Sequence, residues 1–204
     1  MVDFLNALTL LANYIIVPGL AYGSQLALGA LGVTMVYAVL RFSNFAHGEL
    51  MSFGAMCTIL CTWALQSIGI RLTVFPTALL AIPIAASITV VYCIAVNFFV
   101  YEHYREKKID TNTYFIVSIG VLFFTAGLIR LIIGPKDQNF ADGTRFVLKA
   151  REFKAMTGLN EGLAIKTTQG MTVIVTLVLV ALVFWFLNKT RTGKSMRAYS
   201  DNED

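Results

Sequence analysis

Residues 41–50 read Arg41-Phe42-Ser43-Asn44-Phe45-Ala46-His47-Gly48-Glu49-Leu50. A guanidinium, an amide, an imidazole and a carboxylate stand within ten positions, and each can hydrogen-bond or hold charge. No catalytic set accompanies them. The chain has two histidines, His47 and His103. Neither has the Ser/His/Asp companions of a nucleophilic site or the neighbours of a ligand cluster. His47-Gly48-Glu49 alone is too little to hold a metal. The expectation is a protein with no catalytic residues, no metal and no cofactor of its own.

A second segment, Thr192-Gly193-Lys194-Ser195, ends like a phosphate-binding loop. The full motif needs another glycine five residues before Gly193, on a strand-to-helix turn. Asn188 stands there, after a long apolar run. Any ATP is therefore expected on a separate subunit. Asn188-Lys189-Thr190 fits a glycosylation pattern but is expected on the inner side, and His103 is expected in water. Cys57, Cys61 and Cys93 all fall in apolar runs and read as small buried residues.

The elements that must position the polar island are unusually apolar. Of 204 residues, 57% are hydrophobic and 14% charged, with mean hydropathy +0.70. A soluble domain carries about 25% charged residues. Five stretches contain no Asp, Glu, Lys or Arg: Phe4–Leu40, Leu50–Ile70, Leu72–Tyr101, Thr111–Ile129 and Gly170–Asn188. About 20 apolar residues cross a bilayer, and each charge buried there costs roughly 2.5–3.5 kcal/mol on insertion scales. Continuous apolarity, as in Val173–Leu187, excludes the alternation of barrel strands. The fold class expected is all-α: a polytopic transmembrane helical bundle of about five main spans plus a short N-terminal helix.

The first stretch divides at Pro18-Gly19 in this reading, into a short helix over about Phe4–Val17 and a span over about Gly19–Leu40. The other spans are expected near Leu50–Gly69, Val74–Val100, Tyr114–Ile133 and Met171–Leu187, the third kinked by Pro76 and Pro83. Gly19, Gly23 and Ala27 recur every four residues and could form a flat packing groove; ordinary glycine frequency in membrane helices is the alternative. Arg105, Lys107, Lys108, Lys189, Arg191, Lys194 and Arg197 place the loop 101–113 and the segment 188–204 in the cytoplasm. Residues 134–170 are then an extracytoplasmic loop or cap, holding a hairpin or short helix. The net charge of +4 lies in membrane-flanking loops, so lipid, not nucleic acid, is the expected surface partner. No secretory leader is expected, for want of a basic n-region.

The opening segment then has two readings. It is a tight cytoplasmic loop with its polar groups in water. Or it is a helix break dipping into the bundle, where Asn44, Phe45, His47, Gly48 and Glu49 line a pathway or bond to neighbouring helices. Irregular backbone at membrane depth persists only where protein covers it or it lines a cavity.

The stretch Ala21–Ala55, with Ala30-Leu31-Gly32-Val33-Thr34 and Asn44-Phe45-Ala46-His47-Gly48-Glu49, closely resembles the H-type permease of branched-chain amino-acid ABC transporters. Ile129–Pro135 and Thr190–Ala198 resemble two further stretches of that family. The resemblance implies a single transmembrane permease domain over 1–204 in a bacterial inner membrane, spanning it several times. It implies partners: a second permease subunit, cytoplasmic ATPase subunits and a periplasmic substrate-binding protein. Arg191, Lys194, Arg197, Asp201 and Glu203 would face the ATPase, with a coupling helix starting near Ser200. Members of the family run longer, so the domain is expected to be partial or truncated. The alternative function is a non-transporting membrane scaffold or pseudosubunit.

Overall fold

The computed structural model describes residues 2–40, 42–72, 76–107, 110–138 and 146–201. The chain divides into two compact units, one of Met1–Val39 with Gly143–Asp204, the other of Leu40–Asp142. Among the described residues five helices are long and apolar enough to cross a membrane, the signature of an all-α polytopic protein.

In the first unit, α1 (Val2–Leu11) runs into a π turn (Ala12–Ile16) and then α2 (Val17–Leu40). This corrects the expected division at Pro18-Gly19. The helix passes through Pro18 without a break, and its register changes just before it. The Val17 N–H bonds to Ala12 O, five residues back. Proline has no N–H and crowds the carbonyl four residues earlier; a wider turn there absorbs both defects.

Beyond α2, this unit holds β1 (Phe146–Leu148), α7 (Ala150–Thr157), β2 (Ile165–Lys166), α8 (Thr167–Lys189) and α9 (Arg191–Asp201). The two short strands pair antiparallel. Gly158 takes the left-handed conformation that ends α7, at φ 69°. Asn6 and Asn13, two turns apart on one face of the N-terminal helix, tie this segment down. Asn6 Oδ1 accepts the Glu161 N–H at 3.3 Å, and Asn13 Oδ1 accepts that of Ala164 at 3.2 Å.

The second unit holds α3 (His47–Ser67), α4 (Ala78–Val96), a second π turn (Asn97–Tyr101), α5 (Glu102–Glu106) and α6 (Thr111–Ile133). The expected basic loop from Tyr101 is mostly helix, because α4 continues through the π turn to Glu106. Val74, where that span was expected to begin, lies outside the described residues; Pro76 precedes α4 and Pro83 lies inside it. Apolarity marks only the lipid-facing part of a helix, so observed helices overrun it into polar residues. Asp110 starts α6 by accepting the Thr111 N–H at 2.8 Å.

Small residues let α3 and α4 approach closely. Ala81 and Ala85 are fully enclosed, and a Cβ on Gly54 would sit 3.4 Å from Thr89 Oγ1. Phe53, Met56, Cys57 and Ala85 form one core cluster, with Leu128 and Ile129 of α6 packed on it. Most hydroxyls turn back on their own helix, as Thr58 does on Gly54 O and Thr62 on Thr58 O. That removes their need for water.

Candidate functional site

Residues 42–46 interrupt the helical ladder between α2 and α3. Their polar atoms are taken up in a specific way. Asn44 Oδ1 accepts the Ala46 N–H at 3.1 Å, a local turn mimic. It also accepts the Tyr101 hydroxyl at 3.2 Å, from the end of the second π turn. The Phe45 N–H donates to Ser118 Oγ of α6 at 3.3 Å, while Ser118 donates its own proton to Phe115 O at 2.7 Å. The Asn44 carbonyl accepts the His47 N–H at 3.2 Å and the Ala46 carbonyl that of Leu50 at 2.9 Å, which starts α3.

Two apolar residues of the break are buried and a third makes an aromatic contact. Phe42 is 8% exposed and stacks on Tyr114 with centroids 5.3 Å apart. Ala46 is fully enclosed. Phe45 leaves its ring half-exposed but sets it edge-on to Phe115 at 4.8 Å. The buried cluster is Phe42, Ala46, Val96, Tyr101 and Val121, drawn from the break and two other helices. Phe42 and Ala46 are thus buried against α6 and the end of α4, while Ser43 and Gly48 stay exposed.

His47 and Glu49 differ from Asn44. Both sit in the first turn of α3, half-buried, and neither side chain has a partner among the described residues. Glu49 lies where the helix dipole favours a carboxylate. Gly48 is exposed and a Cβ there would meet nothing within 4 Å. The break therefore presents an amide held from two sides, followed by an imidazole and a carboxylate left unspent.

The remaining sequence candidates fall in the first unit. Gly19, Gly23 and Ala27 are exposed, and nothing stands within 4 Å of a Cβ on either glycine. Among the described residues nothing covers this face of α2 at the two glycines. Arg191 and Lys194 are exposed on α9. Arg197 is engaged: its Nη2 donates to Leu187 O at 2.9 Å and to Asn188 Oδ1 at 2.6 Å, capping the end of α8. Helix α9 begins at Arg191, where Thr190 Oγ1 accepts the Gly193 N–H at 3.0 Å; the coupling helix expected from near Ser200 falls at its last residues and outside the described ones. Asp201 is its last residue and Glu203 lies outside the described residues.

The sequence reading missed Tyr101 and Ser118. Tyr101 looked like the first residue of a loop and Ser118 like an ordinary residue of an apolar span, and only their pairing with Asn44 and Phe45 distinguishes them. It also gave Gly193 no role. A Cβ there would lie against Phe186 O and 2.6 Å from Leu187 Cα, so the α8–α9 turn closes only over glycine.

Comparison with known proteins points one way. Residues 15–204 match the family described as branched-chain amino acid transport system, permease component. The high-affinity branched-chain amino acid transport system permease protein LivH of Escherichia coli (strain K12) is 28% identical over 190 residues. That covers 90% of this chain and 57% of LivH. LivH of Salmonella typhimurium gives the same figures. The high-affinity branched-chain amino acid transport system permease protein BraD of Pseudomonas aeruginosa is 26% identical over 187 residues, 92% of this chain and 58% of BraD. The chain thus spans little more than half the length of these relatives. No solved structure matches it.

Proposed function

The chain belongs to the permease components of branched-chain amino acid transport systems, a multi-pass membrane family, and on that premise we propose that it carries solute for an ATP-driven importer of branched-chain or related amino acids. It works beside a second permease subunit in a bacterial inner membrane. Separate cytoplasmic ATPase subunits bind the nucleotide, and a periplasmic binding protein delivers the solute. The exposed cations Arg191 and Lys194 face the ATPase.

One observation carries the reading: the break at 42–46, stapled to two helices through Asn44 and Phe45, sets the unspent His47 and Glu49 at the start of α3. An amino acid is a zwitterion. Glu49 supplies a counter-charge for its ammonium group, and first-turn N–H groups of α3 favour its carboxylate. Interrupted helices serve solute pathways because they expose such groups while neighbouring protein covers the rest.

The test is uptake of labelled leucine, isoleucine and valine in a host lacking its own permeases for them. The host receives the reading frame encoding this chain with its transport partners. Wild type restores uptake. Asn44→Ala and Glu49→Ala each lower it by about tenfold at equal membrane abundance, as expected for loss of a hydrogen bond to a charged or buried group. Absence of uptake in wild type, or normal uptake in both variants, removes the reading.

A further inference from the structure

In a regular α-helix successive residues turn by about 100°. Val96 and Tyr101 are five apart and would stand about 140° from each other, on different faces. In the structure they share one: both are 8% exposed and both belong to the cluster that buries Phe42 and Ala46. The π turn Asn97–Tyr101 resolves the mismatch. Its closing bond runs from the Glu102 N–H to Asn97 O, five residues back, so the turn takes up one residue more than an α turn. Tyr101 thereby stands where the residue four after Val96 would otherwise be.

No proline forces this register; the turn is Asn97-Phe98-Phe99-Val100-Tyr101. Phe98 and Phe99 are 61% and 75% exposed, so their rings do not pin it to the core. The register sets the Tyr101 ring beside Phe42, with centroids 6.3 Å apart, and places its hydroxyl. Tyr101 reaches Asn44 Oδ1, and Asn44 in turn holds the Ala46 N–H through its side chain and the His47 N–H through its carbonyl.

We propose that Tyr101 is a positioning residue for the helix break, and that the π turn is the device which brings its hydroxyl to Asn44. Relaxation of the turn to α register rotates Tyr101 by about 100° and withdraws that hydroxyl. Asn44 then keeps only its local bonds to Ala46 and His47, and the first turn of α3, with His47 and Glu49, loses its tie to the π turn that follows α4. The register of the π turn thus sets whether the break is fixed or free. Its consequence for uptake rests on the transport reading above; its consequence for the backbone does not.

Hydrogen–deuterium exchange of the full chain in detergent, resolved over residues 42–50, tests this. Tyr101→Phe keeps the ring and removes the donor. The amides of Ala46 and His47 then exchange about five- to tenfold faster, the scale of one net hydrogen bond, while the amides of α6 around Val121 stay unchanged. Deleting Phe99 leaves Tyr101 four residues after Val96 in an unbroken α-helix. The hydroxyl contact survives, and the same amides exchange no faster than in wild type. In that background Tyr101→Phe accelerates them again. Unchanged exchange in Tyr101→Phe overturns the proposal, and this variant decides alone if the deletion chain does not insert. Equal acceleration by the Phe99 deletion also overturns it, because the π register would then be needed for something other than placing Tyr101. In the uptake assay, Tyr101→Phe lowers the maximal rate severalfold at unchanged half-saturation. If wild type shows no uptake, the transport reading fails and the exchange result still decides the role of Tyr101.

Discussion

The Tyr92 hydroxyl lies 2.9 Å from Thr125 Oγ1, and the proton between them belongs to tyrosine. Thr125 donates its only hydroxyl proton to Val121 O at 2.8 Å, so toward Tyr92 it can only accept. The same tyrosine ring stacks on Phe53 with centroids 4.1 Å apart. One side chain thus joins α3, α4 and α6 through a stacked face and a directed hydrogen bond. This contact holds together the framework on which the break rests.

The direction of that bond makes the two partners unequal. Thr125→Val removes the acceptor and leaves a phenol without a partner, at a cost of about 1–3 kcal/mol. Tyr92→Phe removes donor and need together and costs about 0.5–1.5 kcal/mol, since Thr125 keeps its bond to Val121 O. Denaturation of detergent-solubilised protein followed by circular dichroism should rank Thr125→Val as the less stable. The reverse ranking means that the proton runs the other way.

Gly193 is the tightest point of the α8–α9 turn. Its missing Cβ would meet backbone atoms of Phe186 and Leu187, which cannot swing aside as a side chain would. Gly193→Ala therefore forces the helices apart, at a cost of about 1–3 kcal/mol by analogy with overpacking. Limited trypsin digestion reads this directly, since Lys189, Arg191 and Lys194 surround the turn. Cleavage there should quicken in Gly193→Ala. Arg197→Ala, which only uncaps the α8 end, should quicken it less. Equal resistance of wild type and Gly193→Ala would mean that the turn is open already.

Asn6 and Asn13 should act as two pegs for the segment between α7 and α8. Asn13→Ala frees the Ala164 N–H and Asn6→Ala frees that of Glu161. Each variant should raise exchange at its own amide by about fivefold, and the double variant should raise both. The bonds inside α7 should not respond. Exchange that rises throughout α7 and the β1–β2 pair would instead show that the asparagines hold up the whole segment.

Parts of this molecule were legible from residue types alone. Charge-free stretches long enough for a bilayer announced the helices, since burying a charge in lipid is costly whatever the fold. The polar island at Asn44–Glu49 stood out for the same reason, and the spans around it were located to within about a turn. Helix ends were less legible. Glu102–Glu106 and Arg191–Asp201 are helical although their composition is polar, because capping and continuation of the backbone ladder, not apolarity, decide where a helix stops. Proline misled in a specific way: Pro18 looked like a divider, yet a π turn one step earlier let the helix run through it.

The sequence by itself determined that this chain is a series of apolar helices with a polar island between two of them. That follows from transfer energies, which depend on residue type and not on partners. Tertiary structure alone decided what the segment does with its polar atoms: Asn44 spent on Tyr101 and Ala46, Phe45 bonded to Ser118, His47 and Glu49 left without partners among the described residues. A hydrogen bond needs two groups within about 3 Å and correctly aimed. No spacing along the chain could place Tyr101, 57 residues from Asn44, on the same atom. Only a helix register one residue out of step brings it there.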